Sequence, residues 1–538
     1  MKKIGPWQAA GSIVGRVGFF LALLLAGCST AKTAKPAVQR PDVSPRGVAV
    51  PGTTIPLDAT QVKPMFTELL PIDLPTVVRV ALAQNIDIMQ ARLNVTAVQG
   101  SYESAVGAAF PAIVPTAVFE HVEGSVRATQ GDIVGANFDS FLAAGAIQWV
   151  VNPGRVIYEI VAAKKRLAAA EHFEQSVTLA TLRDTQVQFY ALALAQYRIS
   201  AAHRGVEEAT ELLRVNRLRL HTGTAVQADV LRAEARLAER QQDLATALKD
   251  FYDASVTLAL TLRLDSSVTL VPSIANLEQT QLVRDDLTIE ETLGIAVAFR
   301  PELEGFRDLL DAAIAEGKKA WWMGFGPTIS LAYQYGGITG HADNVVPSEG
   351  IPGNLVLNPA SSNGSFSNNP FANGLIKEGI LRGSKRLDAR DDQTYSFSDQ
   401  QRATAAAGWR LSLATLGELK TAKAREQAAL VRYERILDEV RAEVVISIQA
   451  ARTYDQLIEF ARQQVASADE ALRLTQANLQ AGTMTTLDVL QAQDAATQAR
   501  VRFADAVTHY NQAQVTLLAA LGLIGEPSPP PTKTVGQK

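Results

Sequence analysis

A stretch of this chain is written twice. Gly223-Thr224-Ala225-Val226-Gln227-Ala228-Asp229-Val230-Leu231 returns as Gly482-Thr483-Met484-Thr485-Thr486-Leu487-Asp488-Val489-Leu490. The register then holds without a gap through Val256-Thr257-Leu258 and Val515-Thr516-Leu517, and about a third of the positions between Gly223 and Leu262 are identical to their counterparts. A match this long is an architectural unit, so the chain must fold as two copies of one design. Each copy has to be able to build its elements from its own half.

Composition narrows what those elements are. The chain has 538 residues, a formal net charge of -4 and only 6% aromatic residues, which favours extended helical structure over several compact cores. No basic excess points to nucleic acid. At the amino end, Lys2, Lys3 and Arg16 precede an apolar run from Val17 to Ala26 that is too short for a mature membrane span and reads as a secretory leader over residues 1–27. The run closes on Leu25-Ala26-Gly27-Cys28, and Cys28 is the sole cysteine. This motif resembles the bacterial lipobox. The resemblance implies a thioether-linked diacylglycerol and an amide-linked acyl chain on Cys28, and Ser29 in place of an aspartate fits delivery to the outer membrane. With one thiol, no intrachain disulfide can form.

Residues 28–70 carry Pro36, Pro41, Pro45, Pro51, Pro56 and Pro64, which block regular helix and predict an extended tether. Two structural repeats follow, over 71–285 and 286–523, and residues 524–538 form a proline-bearing tail whose composition predicts disorder. Ala81-Leu82-Ala83-Gln84-Asn85-Ile86-Asp87 opens a helical stretch that ends near Pro111, and Ala296-Val297-Ala298-Phe299-Arg300-Pro301-Glu302 opens its twin, ending near Pro327. Period-two alternation then predicts strands. In the second half Ile329, Leu331, Tyr333 and Tyr335 make one strand, and Trp409, Leu411 and Leu413 another; the first half offers Ile113–Val122 and Phe138–Val151. Loops are expected at 121–137 and, much longer, at 336–402, where a barrel's external loop belongs. A proline-free, alanine-rich helix of about 95–100 Å follows each strand pair, over Arg155–His221 and Glu418–Gln480. The return segments Ala225–Leu262 and Met484–Leu521 reach only about 57 Å. Stacked on the helices that precede the strands, at about 33–35 Å each, they make up the missing length.

Four strands cannot close a barrel, and in lipid every backbone group must be paired, so several chains have to share one wall. These elements, the lipobox, the Ala-Leu-Ala-Gln-Asn and Ala-Phe-Arg-Pro-Glu-Leu openings and the two Gly-Thr-x-x-x-x-Asp-Val-Leu turns together resemble the TolC-like outer-membrane efflux family, in particular its lipid-anchored members. The resemblance spans about Pro71 to Leu523. It implies a mainly α fold with a membrane β-barrel: a homotrimer with a twelve-stranded barrel in outer-membrane lipid and a long coiled α-helical tunnel in the periplasm. It implies as partners a periplasmic adaptor and an inner-membrane pump, with small-molecule efflux as the function; metal-ion efflux and type I protein secretion share the same outer component. A rival of another class is a periplasmic coiled-coil scaffold lipoprotein without a pore, which the alternating strands disfavour.

The two Gly-Thr turns lie between a long helix and its return, hence at the tip farthest from the barrel. Gly223 and Gly482 suit the left-handed backbone that ends a helix, while Thr224 and Thr483 are positioned to cap the next one, Thr224 with Gln227 at capping-box spacing. In the family this tip also docks the adaptor, which implies docking roles for Leu220, Gly223, Thr224, Leu479, Gly482 and Thr483. Asp229 and Asp488 fall in the first turns of the return helices, where the helix dipole favours a carboxylate. Symmetry copies would form an acidic ring that favours cations at a periplasmic gate. The family's second acidic ring falls on Gln491 and its locking arginine on Met484, so a strongly charge-locked gate is not expected at the tip. Trp321 and Trp322, beside Lys318 and Lys319, have the composition of a membrane-interface girdle or of a helix–barrel joint. His121, His172, His203, His221, His341 and His509 form no metal-ligand spacing, and no phosphate loop or nucleophile elbow occurs. No enzyme activity and no cofactor are expected.

Overall fold

A computed structural model describes residues 48–49, 53–57, 68–127, 133–223, 226–343, 393–409, 412–481 and 483–525. The leader, Cys28, most of the tether, the centre of the long loop, Thr224, Gly482 and nearly all of the tail lie outside the described residues. Three short strands come first: β1 (Val48–Ala49), β2 (Ile55–Pro56) and β3 (Leu69–Ile72). Helices α1 (Leu74–Gln84) and α2 (Ile86–Gly107), strands β4 (Ala112–Arg127) and β5 (Ile133–Val151), and helices α3 (Pro153–His221) and α4 (Gln227–Thr261) build the first half. After β6 (Thr269–Pro272), β7 (Asn276–Leu277) and β8 (Thr280–Gln281), the order repeats as α5 (Ile289–Phe299), α6 (Pro301–Phe325), β9 (Thr328–Asp343), β10 (Gln393–Gly408), α7 (Ala414–Gln480) and α8 (Thr486–Ala520).

The long helices have 69 and 67 residues, on the order of 100 Å each. Capping fixes where α3 and α1 begin. Asn152 accepts a hydrogen bond from the Arg155 amide (3.0 Å), with Pro153 in the first turn of α3. Asp73 accepts from the Thr76 amide (3.1 Å) at the start of α1, and the Thr76 hydroxyl first, with this amide, holds the Asp73 carboxyl below its usual range.

The end-to-end stacking expected from the lengths is made by two equivalent side chains. Each helical stretch before the strands breaks once, at Asn85 and at Arg300, where the next helix starts. Asn85 Nδ2 donates to the Thr261 carbonyl at the end of α4 (3.0 Å), and Arg300 Nε donates to the Ala520 carbonyl at the end of α8 (2.7 Å). Thr261 and Ala520 are the same position of the two repeats, so each return helix ends on the joint of the short helices above it. Orphan carbonyls of a helix end are thereby satisfied. Beyond that end the chain turns left-handed in both halves, at Arg263 (φ 57°) and Gly522 (φ 70°). The barrel-end helices are not equivalent, however. α2 packs chiefly on α3, whereas α6 lies against both α3 and α7, with Lys165 pairing Asp308 (2.8 Å) and Phe173 edge-on to Phe306.

The four long strands form one antiparallel sheet in the order β10-β9-β5-β4, with β4 and β10 as open edges. Its two faces differ as a barrel wall requires. Ile113, Ile147, Tyr333 and Ala403 share one row, and Phe119 pairs with Phe141 on the same face, where Ile113 is 79% and Phe119 67% exposed. Rows on the other face join Ala112, Gln148, Ala332 and Thr404, and Val114, Ala146, Gln334 and Arg402. One side suits lipid and the other a wet interior.

Three strand expectations are corrected. β4 and β5 occupy 121–127 and 133–137, and β9 and β10 take 336–343 and 393–402, where the sequence predicts loops. The fourth strand ends at Gly408, before the alternating Trp409, Leu411 and Leu413; Leu413 sits fully exposed in the turn that leads into α7. Along β10 Gln401, Arg402 and Thr404 stand among alanines, Gln401 on the outer face in register with Tyr335 and the other two on the inner face, so no period shows. The six short strands were not expected. β3 runs parallel to β6, placing Ile72, Leu270 and Val271 in a core with Phe189 and Phe251, while β1 and β2 pair with β8 and β7. The end of the tether is thus stitched to the strip that links the repeats.

Candidate functional site: the helical tip and the barrel root

At the first tip, α3 ends with the Gly223 amide bonded to the Leu220 carbonyl (3.1 Å) and Gly223 at φ 75°, as its glycine requires. Leu220 is half-buried against Leu213, Val230 and Ala233. The return helix starts at Gln227, and the cap expected at Thr224 lies outside the described residues. Val226 takes the cap position, and Asp229 accepts from the Val226 amide (3.4 Å) and pairs with Arg232 (3.0 Å).

The second tip is built differently. Thr483 caps backwards: its amide (3.0 Å) and its hydroxyl (3.1 Å) both donate to the Asn478 carbonyl of α7. Thr485, two residues on, starts α8 with a complete capping box, accepting from the Asp488 amide (3.3 Å) while its own amide and hydroxyl donate to the Asp488 carboxylate (2.8 and 2.7 Å). The expected cap at Thr483 is therefore replaced by Thr485, because only Thr485 has an acid three residues later. These bonds hold the Asp488 carboxyl below its usual range. Gln491 and Met484 are exposed, whereas Leu479 is buried with Leu212, Val489 and Leu490. Leu479 consequently shapes the tip from within. Beneath it Thr486 donates to the buried Asn216 of α3 (2.9 Å).

At the barrel root the paired tryptophans separate. Trp322 is half-buried over Gly154 and Gly326, its carbonyl accepting from Asn152 Nδ2 (2.9 Å). Trp321 is half exposed beside Phe325. Among the described residues no helix is long and apolar enough to cross a membrane, and no group of His, Cys, Asp and Glu is placed to hold a metal ion.

A long helical shaft topped by a sheet with one apolar and one polar face defines a subunit of a membrane channel with a helical tunnel. The chain belongs to the outer membrane efflux protein family, whose model matches residues 77–262 and 381–523. It is a protein of the Gram-negative outer membrane that extends into the periplasm. Solved structures share the fold. The outer-membrane channel OprN superposes with a TM-score of 0.66 at 18% identity, covering 92% of this chain and 99% of that one. VceC of Vibrio cholerae gives 0.63 at 18%, covering 84% and 96%, and the open state of Neisseria gonorrhoeae MtrE gives 0.61 at 18%, covering 91% and 98%. No curated protein matches the sequence significantly.

Proposed function

We propose that three copies of this chain form the outer duct of a tripartite efflux system, passively conducting small molecules when an adaptor joins it to an inner-membrane pump. The observation that carries this reading is the four-stranded sheet with both edges open. Edge strands of 16 residues cannot face lipid unpaired, and three copies supply a closed wall of twelve strands, wide enough for a channel. A second feature supports it. On α7, Ile446, Phe460 and Leu474 recur at two-heptad steps and stand 65%, 64% and 47% exposed, an apolar seam that fits a neighbouring helix. Native mass measurement of the detergent-solubilised protein is expected to give three chains per particle; a monomer as the stable species would remove the proposal.

The tips are the adaptor-docking surface in this reading, through Leu220, Gly223, Thr224, Gly482 and Thr483, with Leu479 holding their shape. Asp229 and Asp488 supply the acidic ring at the periplasmic gate. Asp488→Ala is expected to lower the channel's preference for cations, and an unchanged reversal potential in a salt gradient would count against the ring. Cys28 carries the lipid anchor. Labelled fatty acid should be incorporated by the wild-type chain and not by Cys28→Ser; equal labelling of both would place the acyl chains elsewhere.

A further inference from the structure

A guanidinium group stands on the sheet at the depth of its apolar band. Arg402 of β10 shares a row with Gln334, Ala146 and Val114, on the face opposite to Ile113, Ile147 and Tyr333. The neighbouring rows of the outer face lie on either side of this level, Ile113, Ile147, Tyr333 and Ala403 nearer the shaft and Pro115, Gly145, Tyr335 and Gln401 beyond it. Ile113, Ile147, Tyr333 and Tyr335 are all exposed, as side chains that meet lipid must be. An arginine at this depth is costly unless its own face meets water. Arg402 therefore marks the wet side of the sheet independently of the apolar alternation.

Among the described residues nothing neutralises it. Arg402 is exposed and has no ion pair there, and its inner-face neighbours Ala144, Ala146, Ala332 and Gly336 are too small to cover a guanidinium. It is the sole cation among the described side chains of that face. The sole acid is Glu120, in register with Ser140, which lies about 20 Å along the strand from the level of Val114. Charge of the opposite sign waits at the other end of the path, where Asp488 opens α8. α7, with 67 residues, puts on the order of 100 Å between the two levels. Physiological salt screens a charge within about 8 Å, so barrel and tip act on a solute independently.

We propose that Arg402 is a specificity-determining residue of the duct: its three copies form a cationic ring inside the barrel that favours solutes carrying an anionic group over bare cations. This rests on the channel reading given above, in which the inner face lines the path. Rings of arginine favour anions for the same reason that rings of acids favour cations, since each raises the local concentration of the opposite charge. In series the two levels oppose each other. A bare metal cation drawn in at the acidic tip is repelled at the barrel, whereas an organic solute with a carboxylate or sulfonate meets a counter-charge there. Arg402 thus sets organic solutes above metal ions as the cargo.

The test is the reversal potential of the purified full-length protein in planar bilayers under a potassium chloride gradient, with trimer assembly of every variant checked by native mass. The dilute side is held at about 0.01 M, where the Debye length of about 30 Å lets a ring act across a wide lumen. Arg402→Gln is expected to raise the potassium-to-chloride permeability ratio about three-fold over wild type, Arg402→Glu to raise it further, and Arg402→Lys to keep the wild-type ratio. Potassium benzoate in place of chloride should give the same order, because the ring acts on the anionic group. An unchanged ratio in Arg402→Gln overturns the ring while the channel reading stands. Should Arg402→Gln fail to assemble, equal ratios in the Lys and Glu variants overturn it in the same way. No conductance from the assembled wild-type protein overturns the channel reading and the ring with it.

Discussion

Gly522→Ala is expected to destabilise the protein by about 2–4 kcal/mol, read as a lower urea midpoint for loss of helix signal. Gly522 ends α8 in the left-handed region at φ 70°, but backbone preference is the smaller part of the effect. Its counterpart in the first repeat is Arg263 at φ 57°, so a side chain is tolerated at that turn when there is room. At Gly522 there is none. A Cβ would lie 2.7 Å from the Phe299 carbonyl oxygen and 2.8 Å from its carbon, and both belong to the backbone that leads into Arg300. Relief would push α8 off the joint where Arg300 donates to the Ala520 carbonyl and pairs with Glu443 (2.6 Å). Gly525→Ala, where nothing lies within 4 Å of the added atom, is the matching control and should leave the midpoint unchanged. Equal midpoints for the two variants would show that the end-to-end joint does not bear the load assigned to it.

Gly154→Ala is expected to have the larger effect on assembly, with loss of most trimer on semi-native gels. Its Cβ would fall inside the Trp322 indole, and the ring has little freedom to leave. Asn152 Nδ2 and the Gly326 amide both donate to the Trp322 carbonyl (2.9 and 2.8 Å), and Trp321 stands edge-on to its ring at 5.7 Å. Overpacking a fixed site costs on the order of 1–3 kcal/mol, and here the cost falls where the sheet joins the shaft. A second-site change, Trp322→Leu, should restore part of the assembly in the Gly154→Ala background. Normal trimer from Gly154→Ala alone would mean that the root is looser than its packing indicates.

Long-period features were legible in the sequence and short or cross-chain ones were not. The helices from Pro153 to His221 and from Ala414 to Gln480 have nothing in their sequence to stop them, and the two repeats agreed on where they end. The half-buried strand β9 showed its period because Ile329, Leu331, Tyr333 and Tyr335 all lie on one face. β10 hid its period, since alanine fills both of its faces and its inner face is polar. Strands of two to four residues such as β1 and β7 are defined by their partner more than by themselves, so no local pattern announces them. At the tip, the carboxylates Asp229 and Asp488 were found by their repeat, but the cap moved from Thr483 to Thr485 because one acid can complete only one box. Asp494 of α8 lies 254 positions from its partner Arg240 of α4 in sequence, and the pair becomes visible only when α3 brings the two helices to the same level. The donor side chains Asn85 and Arg300 did leave a trace, as each stands immediately before a helix start in an otherwise unbroken helical stretch.

In the proposed assembly, copies of this four-stranded sheet close around a water-filled path. Purified oligomer added to a planar lipid bilayer tests it most directly. Discrete, stable conductance steps with a preference for cations are the expected result, and an assembled oligomer that inserts without producing any conductance would contradict the account.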